Sequence, residues 1–442
     1  MTEKAWADLT ADEKWAQRVD RWRNAAIPFA GPEAEAAYRA RVDRLLAAFA
    51  LRKADRVPIR LMIGLWPAAR AGLTALDTMT DPVRTGEVWL DFNKEFPMDT
   101  MCAPPMVPSS MLETIDYRLY AWAGHGVAED AMYQYIEKEW MVPEEYDHLI
   151  DDPTDFMLRV YVPRAVGAFA GFSGLRSVFS FIELPFVSGY VGPWGTPDFV
   201  AGLERITAAA RHTNEWSQAM FPVIGQLMSM GLPSGYGGMS KAPFDILSDT
   251  LRGTKGIMLD MFRCPEKVLA ACERLVPVAV DMALGRTGEI PVPTVIFPLH
   301  KGADGFMSDE QFKTFYWPTL RKVLLRVIDA GVLPHLFAEG RYGSRLETIM
   351  DLPKGKTVWH FDQTDMARAK ETIGTVACLE GNIPLSLFHA GTVEEIAAYT
   401  RKLIDTAGEG GGYIVNLGAG ADKGKIENLR AVIDTVMEYG VY

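Results

Sequence analysis

The chain has little cysteine and little histidine: 4 and 7 of its 442 residues. Cys102, Cys264, Cys272 and Cys378 form no CxxC pair, which excludes a disulfide-stapled secreted scaffold and points to a reduced, cytoplasmic setting. No uninterrupted apolar run reaches the roughly 18 residues of a membrane span. The opening segment MTEKAWADLTADEKWAQRVD is polar and mixed in charge, without the apolar stretch of a signal peptide. No block of Lys and Arg occurs, and 45 basic against 57 acidic residues give a net charge of -12. Nucleic acid and anionic membranes are therefore poor partners, and a small-molecule partner is expected.

What is present is ordinary globular composition, 48% hydrophobic and 23% charged. The length is large for one domain of ~150 residues, but an α/β barrel with added segments absorbs it. The second half alternates strand and helix. Short β-rich runs are expected at 294–300, 333–339, 357–362, 376–382 and 412–418. Between them lie amphipathic stretches with start and stop signals: Ser308 with Gln311, Thr392 with Glu395, a kink at Pro318 and a stop at Gly331. A further helix is expected over 264–287. The first half adds a helix at 35–53 and strands at 57–64, 98–105 and 177–185. Eight strands with helical crossovers predict a closed (β/α)8 TIM-type barrel over 56–442. Residues 1–55 form an N-terminal helical segment in this reading, and about 107–176 an insertion. Dimers are common among large barrels and a homodimer could form, though no residue pattern marks its face.

In such a barrel the chemistry sits at the C-terminal strand ends. These carry Trp66, Glu183, His300, Lys301, Glu339, His360, Asp362, Glu380 and Asn382, and Asn416 through Gly420. Polar groups at interior strand positions need a partner or a task. Imidazole and carboxylate with an open position suit catalytic zinc. Strand positions four apart lie ~13 Å from one another, so His335 and Glu339 do not easily share an ion. Glu339 with His360 is the expected pair, with His335 behind it; the alternative is a buried Glu–His hydrogen bond without metal. The glycine-rich tail GEGGGYIVNLGAGADKG could turn backbone N–H groups toward an anion or be a plain turn into the last helix.

The runs RVDRLLAAFALRKADRVPI, LEGNIPLSLFHAGTVEEIAAYTRKLID and GGGYIVNLGAGADKGKIENLRAVID resemble the uroporphyrinogen decarboxylase superfamily. The resemblance implies a (β/α)8 barrel and, by branch, two chemistries. The decarboxylases carry Met-Arg-Gln-Ala-Gly-Arg after the first strand, whose arginines hold substrate carboxylates. Here that place reads LMIGLWPAARAG, with Ile63 where the first arginine falls and Arg70 the one arginine left nearby. The methyltransferases bind zinc through His-x-Cys on a late strand and a cysteine on the last. Here Leu336 and Phe337 follow His335, and the last strand holds no cysteine. A demethylating group uses two glutamates fifteen apart and a histidine twenty-one beyond; Glu339 and His360 match the second interval, while Leu324 fills the first place.

The resemblance thus implies a zinc-assisted methyltransferase moving a methyl group from a small methylated or methoxylated substrate to a corrinoid. No Asp-x-His-x-x-Gly loop occurs in this chain, so the corrinoid would be carried by a separate partner protein. Zinc would be held by Glu339 and His360, with His300, Glu380 or Asp362 as further ligand or catalytic group, and Trp66 lining an apolar pocket. The alternatives are decarboxylation of a carboxylated tetrapyrrole, with Asp362 stabilising a protonated pyrrole and Arg70 or Arg341 holding carboxylates, or a barrel that binds a small molecule without turnover. Lys301 and Asn382 complete the expected substrate contacts.

Overall fold

A computed structural model describes residues 4–285 and 291–442. Its centre is a parallel sheet of six strands in chain order: β4 (Gly238–Met239), β5 (Thr294–Leu299), β6 (Leu333–Ala338), β7 (Val358–Phe361), β8 (Cys378–Glu380) and β9 (Tyr413–Ile414). Two further extended segments close it into a ring. Residues 57–63 run parallel to the last strand, with Arg60 N donating to Val415 O at 3.0 Å and Val415 N to Pro58 O at 2.9 Å. Asp99 N then donates to Ile59 O at 2.9 Å, and Met101 N to Pro233 O at 3.0 Å. Eight extended segments therefore surround one axis in the order of the chain, as a (β/α)8 barrel requires.

Alternation along these strands divides the side chains. Val295, Phe297 and Leu299 of β5, like Trp359 and Phe361 of β7, face outward into the large core shared with the helices. The inward positions at the N-terminal end, Leu333, Val358, Cys378 and Ile414, form a separate apolar plug. It is covered from below by α1 (Ala11–Arg23) and α2 (Pro32–Phe49), through Trp22, Tyr38, Val42, Leu45 and Phe49. Thr10 caps α1 and shares a capping box with Glu13. One end of the barrel is thus stoppered with hydrocarbon, and the ionisable inward groups Arg60, His335, His360 and Glu380 lie above it.

The signals read from the second half hold. Ser308 and Gln311 form a capping box, as do Thr392 and Glu395. Gly331 ends its helix with φ +71°, a left-handed conformation costly for residues with a Cβ. The kink expected at Pro318 is a widened π-turn over Phe312–Tyr316, after which the helix resumes at Trp317. The helix expected over 264–287 spans Pro265–Leu284, and positions 286–287 lie outside the described residues.

The strand expected at 177–185 is not one. Val178–Phe181 is a 3-10 turn and Leu184–Val191 a helix, on the surface, with Leu184 87% exposed. An apolar run of that length does not distinguish a strand from a helix by pattern alone, and Pro185 seats naturally in a first helical turn. The third barrel strand instead follows residue 232, where glycine-rich GYGGMS gives almost no β signal. The excursion between the second and third barrel strands includes a hairpin-like sheet of β1 (Tyr120–Ala123), β2 (Gly126–Val127) and β3 (Tyr133–Tyr135) and ends in a helix over Pro197–Ser229.

A buried carboxylate fastens the N-terminal helices to the barrel. Asp99, with no exposed surface, accepts from Ile59 N at 2.7 Å, from Arg56 Nη1 at 2.8 Å and from Arg44 Nη1. Asp99→Ala leaves two guanidinium groups short of their counter-charge. It is expected to lower unfolding free energy by about 3–5 kcal/mol in denaturant titration; a loss under about 1 kcal/mol would contradict this role.

Candidate active site

Above the apolar plug the inward positions become polar. Arg60 projects from the first barrel segment, His335 from β6, His360 from β7, Glu380 from β8, and Asn416 follows β9. Glu380 receives Arg60 through both oxygens, with Nε at 3.1 Å from Oε1 and Nη2 on Oε2. Asn416 Nδ2 donates to Oε1 at 2.5 Å. The Asn416 amide oxygen in turn accepts from Met62 N at 2.6 Å and Leu417 N at 2.8 Å, which sets its orientation. Arg60 Nη2 also reaches His335 Nδ1 at 2.9 Å, and its guanidinium lies 5.2 Å from the ring centre of Tyr236. His360 donates from Nε2 to Leu417 O at 2.7 Å.

His335, His360 and Glu380 offer ligand atoms within 4.8 Å of one another. His335 Nε2 and His360 Nδ1 are buried without a hydrogen-bond partner, an unusual state for interior polar atoms. Burial holds both imidazoles below their ordinary pKa, so they are neutral, the form that binds metal. Burial alone would raise Glu380, but the positive charge and hydrogen bonds of Arg60 outweigh it and hold the carboxyl at about 2. This donor set suits zinc in kind. A tetrahedral ion with bonds of ~2.1 Å wants ligands ~3.4 Å apart, the separation that His335 Nε2 and Glu380 Oε2 already have at 3.4 Å. Phe337, the next inward residue of β6 toward the mouth, covers the His360 ring with centroids 4.7 Å apart.

A second group of charges lies at the C-terminal mouth. His300 Nδ1 is 2.6 Å from Asp249, and Nε2 is 3.4 Å from Glu339. Lys241 Nζ approaches Asp249 at 2.5 Å. Burial would lower the His300 pKa, but Asp249 and Glu339 reverse that and raise it to about 10. Below them Asp245 accepts from His300 N at 3.1 Å, Lys301 N at 3.0 Å and Tyr316 OH at 2.6 Å, tying the end of β5 in place. Burial and the nearby Asp249 push Asp245 up to about 6.

Beside this row opens a cavity of about 670 Å³. Its fifteen lining residues are apolar, aromatic or threonine, among them Tyr117, Tyr120, Trp122 and Tyr133 from the 102–232 excursion and Met239 from β4. Lys241 lies two residues beyond Met239 on the same strand path. Burial raises the Tyr120 phenol, and the charges of Lys241 and Asp249 act on it, which sets the charged row against the cavity wall.

The expected site residues divide accordingly. The structure joins His335 and His360 with Glu380, not with Glu339. Glu339 lies beyond the end of β6, 43% exposed at its side chain, and turns to His300. The ~13 Å separation along the strand is real; it removes Glu339 from the interior group rather than His335. Asp362 is half-buried, raised by burial, and accepts from Gly340 N at 3.0 Å. Lys301 donates to Thr254 Oγ1 at 3.0 Å. Three of the expected substrate contacts are engaged by other groups, and a fourth is exposed. Trp66 is buried between Phe92 and Phe388 and donates to Gly424 O at 3.0 Å. Arg70 pairs with Glu95 at 2.6 Å. Arg341 is exposed, and Asn382 donates to Thr364 O at 2.7 Å. Asn416 joins the interior group from the strand end where the sequence places it, whereas Arg60, Lys241 and Asp249 were not anticipated as members. The one legible signal was Arg60 itself, a cation at an inward position in VPIRLM.

A closed (β/α)8 barrel with titratable side chains gathered inside it and at its C-terminal mouth is an enzyme architecture. The chain belongs to the uroporphyrinogen decarboxylase (URO-D) family, whose profile matches residues 200–439. It is 25% identical over 252 residues to the uroporphyrinogen decarboxylase of Methylococcus capsulatus, covering 55% of this chain and 67% of that one. It is 31% identical over 141 residues to that of Neisseria meningitidis, covering 30% and 38%. The chain therefore spans about two fifths of the length of the Neisseria relative. Its fold is similar to a methyltransferase from Methanosarcina mazei, with TM-score 0.56 and 16% identity over 90% of this chain and 98% of that one. No helix among the described residues is long and apolar enough to cross a membrane.

His300 provides a pH test. A histidine whose pKa is raised on folding contributes stability that is complete below the unfolded value of about 6.5 and vanishes as pH rises through about 10. The stability difference between wild type and His300→Gln should be largest near pH 6 and shrink steadily toward pH 10 in denaturant titrations. A difference that grows with pH would contradict the assignment.

Proposed function

We propose that this protein is a methyltransferase that takes a methyl group from a small methylated or methoxylated substrate and passes it to a corrinoid carried by a separate protein. The observation that carries this reading is the cavity at the mouth, whose lining is wholly uncharged. A tetrapyrrole with many carboxylates requires fixed cationic forks. The arginines that could supply them are bound to Glu95, in the case of Arg70, or lie exposed, in the case of Arg341. An apolar or aromatic substrate body suits walls of tyrosine, tryptophan and methionine. The fold likeness to the Methanosarcina methyltransferase supports the same direction.

In this reading Tyr120, Trp122 and Met239 orient the substrate and exclude water. His300 carries a proton at Nε2, held there by Asp249 and Glu339, and can hand it to a leaving oxygen at the edge of the cavity. His335, His360 and Glu380 are the residues that would hold zinc. When bound, zinc supplies Lewis acidity toward a substrate oxygen. Asn416 keeps the Glu380 carboxylate aimed at the two histidines.

The test supplies a reduced corrinoid protein and a panel of methoxylated and methylated small molecules, and follows methylcobalt formation spectroscopically. Methylation of the corrinoid is the expected result. Carbon dioxide release from uroporphyrinogen, or tight ligand binding without turnover, would overturn the proposal. On the accepted substrate Tyr120→Ala should raise KM about tenfold with a smaller change in kcat, as for a residue that binds ground and transition states alike.

A further inference from the structure

The two interior histidines are not equivalent. His360 donates from Nε2 to a carbonyl oxygen, so its Nδ1 bears an open lone pair, aimed into the cluster and unpartnered. This is the usual state of a metal-ligating imidazole, with the second nitrogen bonded to the backbone. His335 is held the other way. Arg60 Nη2 sits 2.9 Å from its Nδ1. A guanidinium only donates, so Nδ1 is the acceptor and the proton resides on Nε2. That nitrogen faces Glu380 Oε2 at 3.4 Å, and while protonated it has no lone pair for an ion. The same guanidinium engages both Glu380 oxygens.

We propose that Arg60 gates this site. Its guanidinium is the resident cation of the barrel interior, and a divalent ion binds His335, His360 and Glu380 only when Arg60 withdraws. Withdrawal frees Glu380 and lets the His335 proton move from Nε2 to Nδ1, so no net proton is gained or lost. The face of Tyr236, already 5.2 Å from the guanidinium, offers it an alternative contact. The gate rests on reading the cluster as a metal site. It adds that the chain's own arginine sets the affinity.

The test uses full-length metal-free protein titrated with zinc against a competing chelator, with cobalt(II) absorption reporting coordination. Arg60→Gln should bind at least about tenfold more tightly than wild type, as expected when a competing charge-assisted contact is removed. Adding His360→Gln to that variant should abolish the gain. Equal or weaker binding by Arg60→Gln overturns the gate. If neither protein binds zinc at these residues, both the gate and the metal reading fall. A gain in affinity in a protein that methylates no corrinoid supports the gate and removes the proposed activity. Should Arg60→Gln fail to fold, the wild type decides. Side-chain nitrogen NMR of the metal-free protein should find His335 protonated at Nε2; protonation at Nδ1 would overturn the proposal.

Discussion

The buried pair of Arg60 and Glu380 is the interaction on which the interior of this barrel depends. Neither charge has access to water, and an isolated charge in such surroundings would neutralise or unfold its host. The two groups come from opposite ends of the chain, 320 residues apart. Their bidentate contact therefore joins the first barrel segment to β8, past the intervening β9. Asn416 and His335 complete the contact from the end of β9 and from β6, so four inward positions form one hydrogen-bonded layer with His360 beside it. The layer is polar because the apolar plug beneath it already closes the barrel bottom, which leaves the upper inward positions free for chemistry.

Two charge systems share the barrel without merging. The interior layer is fully buried and lies under Phe337. The mouth row of Lys241, Asp249, His300 and Glu339 is partly open and abuts the uncharged cavity. Each has its own balance: Glu380 is kept ionised by Arg60, and His300 is kept protonated by Asp249 and Glu339. Asp362 feels the charges of both Glu339 and His360 and so stands between the two systems. A substrate in the cavity would meet the mouth row directly, whereas the interior donors become reachable only if Phe337 and Arg60 shift.

Much of the fold was legible because the second half of the chain spells each helix start and strand with local signals. Ser308, Thr392 and Gly331 punctuate it where the backbone requires them. The third strand was hidden for the opposite reason. Its glycines carry no pattern, while the apolar run at 177–185 mimics a strand yet has no sheet beside it. At the site, Glu380, His360 and His335 were all visible as polar residues on buried strands. Their grouping was not, because strand-end position along the chain does not reveal which strands lie adjacent across the barrel axis. Glu339 appeared to be the partner of His360 by spacing alone; the register that sets Glu380 opposite His360 decides otherwise. The excursion that walls the cavity left no trace in any motif, since apolar and aromatic lining is indistinguishable from core until the surfaces are placed.

The account stands or falls on what occupies the space between His335, His360 and Glu380. Anomalous diffraction at the zinc edge from crystals of the full chain equilibrated with zinc measures this directly. The expected result is a peak bonded to His335 Nε2, His360 Nδ1 and Glu380, with the Arg60 guanidinium moved off both His335 and Glu380. A featureless map at these residues, or a peak there with Arg60 still bonded to His335, would contradict it.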